Sequence, residues 1–518
     1  MTVQQSRLPT RPAAALGLLC AAQFMVVLDV TIVAIALPRV QADLGFSTTG
    51  LAWVVTAYTL SFGGLLIVAG RAGDLFGHRR LFTAGLAVFG AASLACGLAW
   101  SAAALVGARV VQGLGAAIVA PTALALLNAA FPDGARRRRA LGWWTAAAAG
   151  GGACGWVLGG LLTDGLGWRW VFLVNVPVAL LAAAATRLLT ETPRGDRVRL
   201  DLPGAATLTG GLATLIYGAT RLQDHGPDRW ALGAVVAAAV LLTAFVHIER
   251  HAAGPMLPLA ALRSEPLTVS VLVAATLTAT TTPVMFLAVL YQQQILGTGA
   301  LLTGAATAPF NIAVVAGAAL GARPPARVDP RLAMGGGLLL IAAGAWSLIR
   351  TGPAGEYPTT VLPTFVLMGI GLGVASVAST SLGTDDTSLG TNDTGLGTDG
   401  IRLGADGTRL GADGTKLGAD GTRRGTDSTR LGTDDTGLGK DSSPRDRRGL
   451  AAGLLNAAAQ LGTVLGLAAL VPLAAAGPAG SPLAGYHAAF TWAGWAAVGG
   501  AFLPLGMLLR RRAGRPEA

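Results

Sequence analysis

About fourteen apolar runs of roughly 20 residues, separated by short polar turns, leave this chain few ways to fold. At 1.5 Å rise per residue, a helix of that length crosses the roughly 30 Å hydrocarbon core of a bilayer. The limits lie near 13–38, 50–70, 81–100, 102–127, 140–163, 171–189, 202–221, 230–249, 267–290, 303–322, 332–350, 358–380, 449–475 and 486–509. Backbone in lipid must satisfy its own hydrogen bonds, which leaves helices or closed barrels. Barrel strands would show segments of about 10 residues with alternating polarity, and that pattern is absent. Of the 518 residues, 52% are hydrophobic and 13% charged, against about 25% charged in soluble domains. The chain therefore reads as an all-helical, polytopic integral membrane protein. The first run is too long for a signal peptide and lacks a small-x-small cleavage site, so it reads as span 1.

The formal net charge of +11 points to membrane topology rather than to nucleic acid. Arginines gather in alternate loops: Arg71, Arg79 and Arg80; Arg136 to Arg139; Arg194, Arg197 and Arg199; Arg250 and Arg263; Arg323, Arg327 and Arg331; and Arg510 to Arg512. The other loops hold few, among them Arg39, Arg169, Arg221 and Arg229. By the positive-inside rule both termini face the cytoplasm. No basic patch interleaved with aromatic residues occurs, so no nucleic-acid partner is expected. Cys20, Cys96 and Cys154 lie inside apolar runs without metal-ligand spacing and read as packing residues.

Residues 381–443 break the pattern with nine seven-residue units that begin SLGTDDT, SLGTNDT, GLGTDGI and RLGADGT. One leucine per unit cannot build a coiled-coil seam, and a glycine in the third place of every unit disfavours helix. Calcium-binding glycine/aspartate repeats follow a different, nine-residue pattern. The stretch 381–448 thus reads as a low-complexity cytoplasmic insert that forms no packed core. It divides the chain into 1–200, a pair of spans in 201–250, a segment 251–380, the insert, and 449–518.

Asp29 is an acidic side chain set well inside span 1, in Ala13–Leu37. A carboxylate there costs about 2.5–3.5 kcal/mol even on lenient insertion scales. Arg109 occupies a comparable place in span 4. Span 1 runs outward and span 4 inward, so helical rise puts them about 6 and about 8 Å outside the midplane. Two opposite charges at one depth can offset part of each other's desolvation. The pair is either a static buried ion pair or a site where Asp29 takes up and releases a proton as Arg109 engages and disengages.

Four motifs connect these residues to a family. Gly70-Arg-Ala-Gly-Asp74-Leu-Phe-Gly77-His-Arg79-Arg80-Leu joins spans 2 and 3. Its glycines permit a tight reversal, and Asp74 can cap a helix or bind an arginine. The segment resembles the loop signature of the major facilitator superfamily. Leu28-Asp29-Val-Thr31 through Leu37-Pro38 resembles the first-span signature of the fourteen-span drug:proton antiporters. Arg109-Val-Val-Gln112-Gly113-Leu-Gly115 and Trp168-Arg-Trp170-Val-Phe172-Leu-Val-Asn175-Val-Pro177 are similar to two further signatures of that family. In span 5, Gly142, Gly151, Gly155, Gly159 and Gly160 fit its antiporter motif, with Trp156 where the motif has proline. In span 13, Leu455-Asn456-Ala-Ala-Ala459-Gln460 fits a family pattern that has arginine in place of Ala459.

The resemblance implies two six-helix bundles, spans 1–6 and 9–14, around a midplane cavity, with spans 7–8 as an added central pair. It implies proton-driven export of hydrophobic or cationic small molecules such as drugs, antibiotics or dyes. Asp29 and Arg109 would couple the proton; Gly70, Asp74, Gly77, Arg79 and Arg80 would form the gating loop. Polar candidates for the substrate cavity are Gln23, Gln112, Asn128, Gln292, Gln293, Asn311, Asn456 and Gln460. Phe24, Trp53 and Tyr58 read equally as cavity-lining or lipid-facing. The implied protein is a plasma-membrane monomer that works with protons and a small-molecule substrate and needs no cofactor or metal. No phosphate-binding loop and no nucleophile–base pair is found, which argues against ATP drive and against an enzyme. A transport-inactive sensor, or a proton-coupled importer of the same fold, is the alternative.

Overall fold

The computed structural model describes residues 12–131, 134–190, 201–252, 264–322, 329–350, 352, 357–389, 444–476 and 482–513. Fourteen long helices dominate: α1 Pro12–Leu44, α2 Trp53–Phe76, α3 His78–Gly97, α4 Ala102–Ala130, α5 Gly134–Gly165, α6 Asn175–Ala185, α7 Leu202–His225, α8 Arg229–His251, α9 Glu265–Leu290, α10 Ala300–Gly321, α11 Pro330–Ser347, α12 Leu362–Leu389, α13 Pro444–Ala475 and α14 Pro482–Ala513. No strand occurs among the described residues. Among the described residues, thirteen helical stretches are long and apolar enough to cross a membrane. The helix outside that set is α7, whose apolar character is diluted by four glycines and four threonines. It nonetheless pairs along its length with α8.

Helices α1–α6 form one bundle and α9–α14 a second. The second helix of each bundle meets the fifth helix of the other: α2 lies against α13, and α5 against α10. Small residues make these seams. A Cβ at Gly304 of α10 would overlap the carbonyl oxygen of Trp156 in α5, and one at Gly63 of α2 would overlap Gln460 of α13. The added pair α7–α8 does not enter either bundle. It covers the α2–α13 seam through a cluster of Leu60, Leu208, Leu212, Ile216, Phe245 and Val464.

The bundles are drawn together at the arginine-poor end. Asp164 at the end of α5 accepts from Arg39 of α1 at 2.8 Å and from the backbone N–H of Leu301, in the first turn of α10, at 2.8 Å. Gln293 Nε2 donates to the Ile35 carbonyl at 2.9 Å, and Gln294 Nε2 to Gln41 Oε1 at 2.9 Å. At the arginine-rich end a cavity of about 540 Å³ separates the bundles. The molecule is thus shut on one side and open on the other.

Several sequence expectations change here. The reversal between α2 and α3 rests on Gly77 alone, at φ +93°, a region that side chains with a Cβ rarely enter. Gly70 lies within α2, facing Pro121 of α4. Helix α12 runs on through Leu389 and takes in the first seven-residue unit, and α13 already begins at Pro444. The rest of the repeat, 390–443, lies outside the described residues, as do Arg323 and Arg327.

Candidate functional site

The fold brings Asp29 and Arg109 into direct contact. Arg109 Nη1 donates to Asp29 Oδ2 at 2.7 Å, and neither side chain exceeds 1% exposure. The same Nη1 donates to Gln112 Oε1 at 2.7 Å, and Arg109 Nε to the Val54 carbonyl at 2.8 Å. Asp29 Oδ1 accepts from Gln112 Nε2 at 2.7 Å and from Asn175 Nδ2 at 2.8 Å. Both carboxylate oxygens therefore face N–H donors, the arrangement of an ionised carboxylate. Below the ion pair, Gln112 also donates to Ser93 at 2.9 Å. The Tyr58 ring lies 4.2 Å from the guanidinium carbon of Arg109, which holds the cation against a π face. Residues from α1, α2, α3, α4 and α6 thus converge on one carboxylate.

Local sequence explains the convergence. Arg109 and Gln112 are three apart on α4 and so share a face. Gly113 permits α2 to approach, since a Cβ there would overlap Ser61 and the Tyr58 carbonyl. Gly115 does the same for α3 at Phe89. Buried neighbours of the network include Phe172, whose ring centre lies 5.8 Å from the guanidinium carbon of Arg109, and Cys96, whose Sγ donates to Gln112 Oε1 at 3.6 Å.

The remaining candidates fall into three places. Gly151, Gly155 and Gly159 line the α1–α5 contact, under the backbone of Phe24, Leu28 and Ile32 and the Thr31 side chain. Gly160 faces Ala300 and Leu301 across the seam to α10, whereas a Cβ at Gly142 would meet open space. Trp156, in the place of the motif's proline, is 6% exposed and packs in the core between the bundles. Asp74 Oδ1 lies 3.1 Å from Nε2 of His78, one turn on and across the Gly77 reversal.

The cavity is lined by Gln23, Asn128 and Asn456, among apolar residues such as Ile67, Leu124 and Trp144. Arg137 Nε donates to Asn128 Oδ1 at 3.1 Å. Gln112 does not belong there; it is buried in the charge network. Gln460 lies at the α2–α13 seam, and Asn311 beside Gly152 of α5. Gln292 and Gln293 sit at the closed end, where Gln292 turns back onto the Ala288 carbonyl. Tyr58 is 1% exposed and faces Arg109, not lipid. The sequence reading missed Asn175, Ser93 and Tyr58 as partners of the pair. For Gln112 the signal was present in its three-residue spacing from Arg109. For Asn175 it was an amide inside an otherwise apolar stretch.

Two packed bundles, a cavity open at one end and a sealed ion pair inside one bundle make the architecture of a secondary transporter. A family model described as Major Facilitator Superfamily matches residues 19–398. The puromycin resistance protein pur8 of Streptomyces alboniger is 40% identical over 362 residues, 69% of this chain and 72% of that protein. The cephamycin export protein CmcT of Amycolatopsis lactamdurans is 39% identical over 367 residues, 70% of this chain and 75% of that protein. The tetracenomycin C resistance and export protein of Streptomyces glaucescens is 34% identical over 377 residues, 72% and 69% of the two chains. The crystal structure of tetrameric PepTSo2 shares the fold, with a TM-score of 0.60 at 16% identity over 97% of this chain and 100% of that one. The chain belongs to the major facilitator superfamily.

Proposed function

We propose that this protein exports hydrophobic or cationic small molecules, antibiotics among them, from the cytoplasm in exchange for protons. It would sit in the plasma membrane as a monomer with both termini in the cytoplasm, and the cavity would then open inward. The observation that carries this reading is the sealed carboxylate of Asp29, held by Arg109, Gln112 and Asn175. A buried ionised group with a dedicated counter-charge is what a membrane proton carrier needs. The resistance and export functions in the names of the similar proteins support the direction of transport.

The chemistry follows from the donors. Protonation of Asp29 removes the charge that Arg109 pairs with, and a buried unpaired guanidinium is costly. Amide side chains tolerate the change because each carries both a donor and an acceptor. Asn175 Oδ1, buried and without a partner in this state, can accept from a protonated Asp29 after rotation of the amide. Arg109 is then released from α1. Since α1 rests on the glycine face of α5, and α5 on α10, a shift of α1 bears directly on the seam between the bundles. The gating loop acts at the opposite end, where Asp74 and His78 link the last turn of α2 to the first of α3.

The test is flux in proteoliposomes under an imposed pH gradient, with a panel of lipophilic cations and antibiotics. Uphill substrate movement that collapses with a protonophore is expected for at least one compound. Transport that ignores the gradient would remove the proton from the account, and no transport across the panel would favour a sensor.

A further inference from the structure

On the outer face of the first bundle, α3 and α6 enclose a cleft of about 710 Å³ that the transport pathway does not use. It is lined by Arg79, Arg80, Thr83, Ala84, Ala87, Ala183, Ala184, Thr186 and Arg187. The cavity between the bundles is lined instead from α1, α2, α4, α5 and α13, so the two openings lie on different faces. Arg79 and Arg80 at the start of α3, and Arg187 in the turn just beyond α6, line the cleft at the arginine-rich side. No carboxylate belongs to its described lining. Asp74, the acidic group near the start of α3, faces His78.

The rest of the cleft has a different chemistry. Ala84, Ala87, Ala183 and Ala184 form a shallow apolar trough with no polar side chain. From Arg79 to Ala87 the α3 axis rises about 12 Å, roughly from headgroup level into the acyl region of one leaflet. Arginine forks fit phosphate oxygens, while the Thr83 and Thr186 hydroxyls donate to the carbonyls of Arg79 and Ala183 within their own helical turns. A basic end continuous with an apolar trough fits an amphiphile whose head is anionic and whose tail is a hydrocarbon chain.

We propose that this cleft binds the headgroup of an anionic phospholipid, with one acyl chain lying along the alanine trough. Occupancy would tie the start of α3 to the end of α6. It would thereby bias the α2–α3 turn, since Arg79 and Arg80 directly follow the Asp74–His78 link. The ligand is a lipid and not free phosphate, because arginines alone would serve the latter and the trough would have no purpose.

The test is a thermal melt of the purified full-length protein in detergent with phosphatidylglycerol, phosphatidylcholine or inorganic phosphate added, together with native mass spectrometry of retained lipid. Phosphatidylglycerol should raise the melting temperature and be retained; phosphatidylcholine should do neither. Arg187→Gln should weaken phosphatidylglycerol retention about fivefold, the scale of one arginine at an anionic surface. Ala87→Leu fills the trough without changing charge and should also weaken retention. Both variants should melt as the wild type does without lipid, and a variant that fails this control is replaced by Ala184→Leu. Equal effects of the two lipids, or retention unchanged in both variants, would overturn the site. Stabilisation by inorganic phosphate equal to that by phosphatidylglycerol would overturn the lipid assignment.

Discussion

Arg109 does three things at once. It neutralises Asp29, it donates to the Val54 carbonyl and to Gln112, and it lies over the Tyr58 ring. Lysine can supply the charge but not the planar fork. Arg109→Lys should therefore fold and lose much of its transport, whereas Arg109→Ala should lose transport altogether. Arg109→Ala should also lose about 3–5 kcal/mol of stability, because it strands a buried carboxylate. The double variant Asp29→Asn with Arg109→Gln should recover most of that stability and none of the proton coupling. Melting temperatures of the single and double variants form the cycle that checks this; additive losses would contradict a coupled pair. The depth of this pair was legible in the sequence, because helical rise fixes how far along a span each residue lies. Its amide partners were less so. Asparagine or glutamine in a span has no sign, and only the packing of α4 and α6 around α1 shows which atoms it meets.

At the scale of helices, the closed end joins buried apolar residues such as Ile35, Leu37 and Leu290 with an exposed ion pair. Arg39 and Asp164 are 54% and 31% exposed, and such a pair contributes about 0.2–1 kcal/mol. That weakness suits a gate that must open in each cycle. Asp164→Ala removes both the Arg39 contact and the acceptor for the Leu301 N–H. It should shift the population toward the state open at that end by about two- to fivefold, within the range set by those energies. Spin labels at Gln41 and Gln294, adjacent across this end, should report a larger fraction of long distances in the variant. An unchanged distance distribution would show that the closure is held elsewhere. The sequence placed the glycines of α5 in a motif, and three of them do pack on α1. It could not separate Gly142 from the rest, because spacing says nothing about what stands opposite. Gly70 was misplaced for a similar reason: two glycines flank the turn, but only Gly77 has the positive φ that the reversal needs.

The whole molecule was legible in outline, since span length and arginine placement follow from bilayer thickness and charge. The seams between the bundles were not, because α2 and α13, or α5 and α10, are far apart in sequence and meet only through topology. The repeat offers a separate test at this scale. Its units lack a core-forming pattern and are rich in glycine, aspartate and threonine. Deleting residues 395–436 should leave the melting temperature unchanged and transport within about twofold of the full chain; a lower melting temperature or a larger loss of transport would give the repeat a structural role. The central claim is that Asp29 carries the proton that drives transport. It is tested most directly by comparing Asp29→Asn with wild type in the same proteoliposomes, once under a pH gradient and once as substrate exchange at equal pH. The account predicts that Asp29→Asn still exchanges substrate but no longer moves it uphill under the gradient. Gradient-driven accumulation by Asp29→Asn at the wild-type level would contradict it.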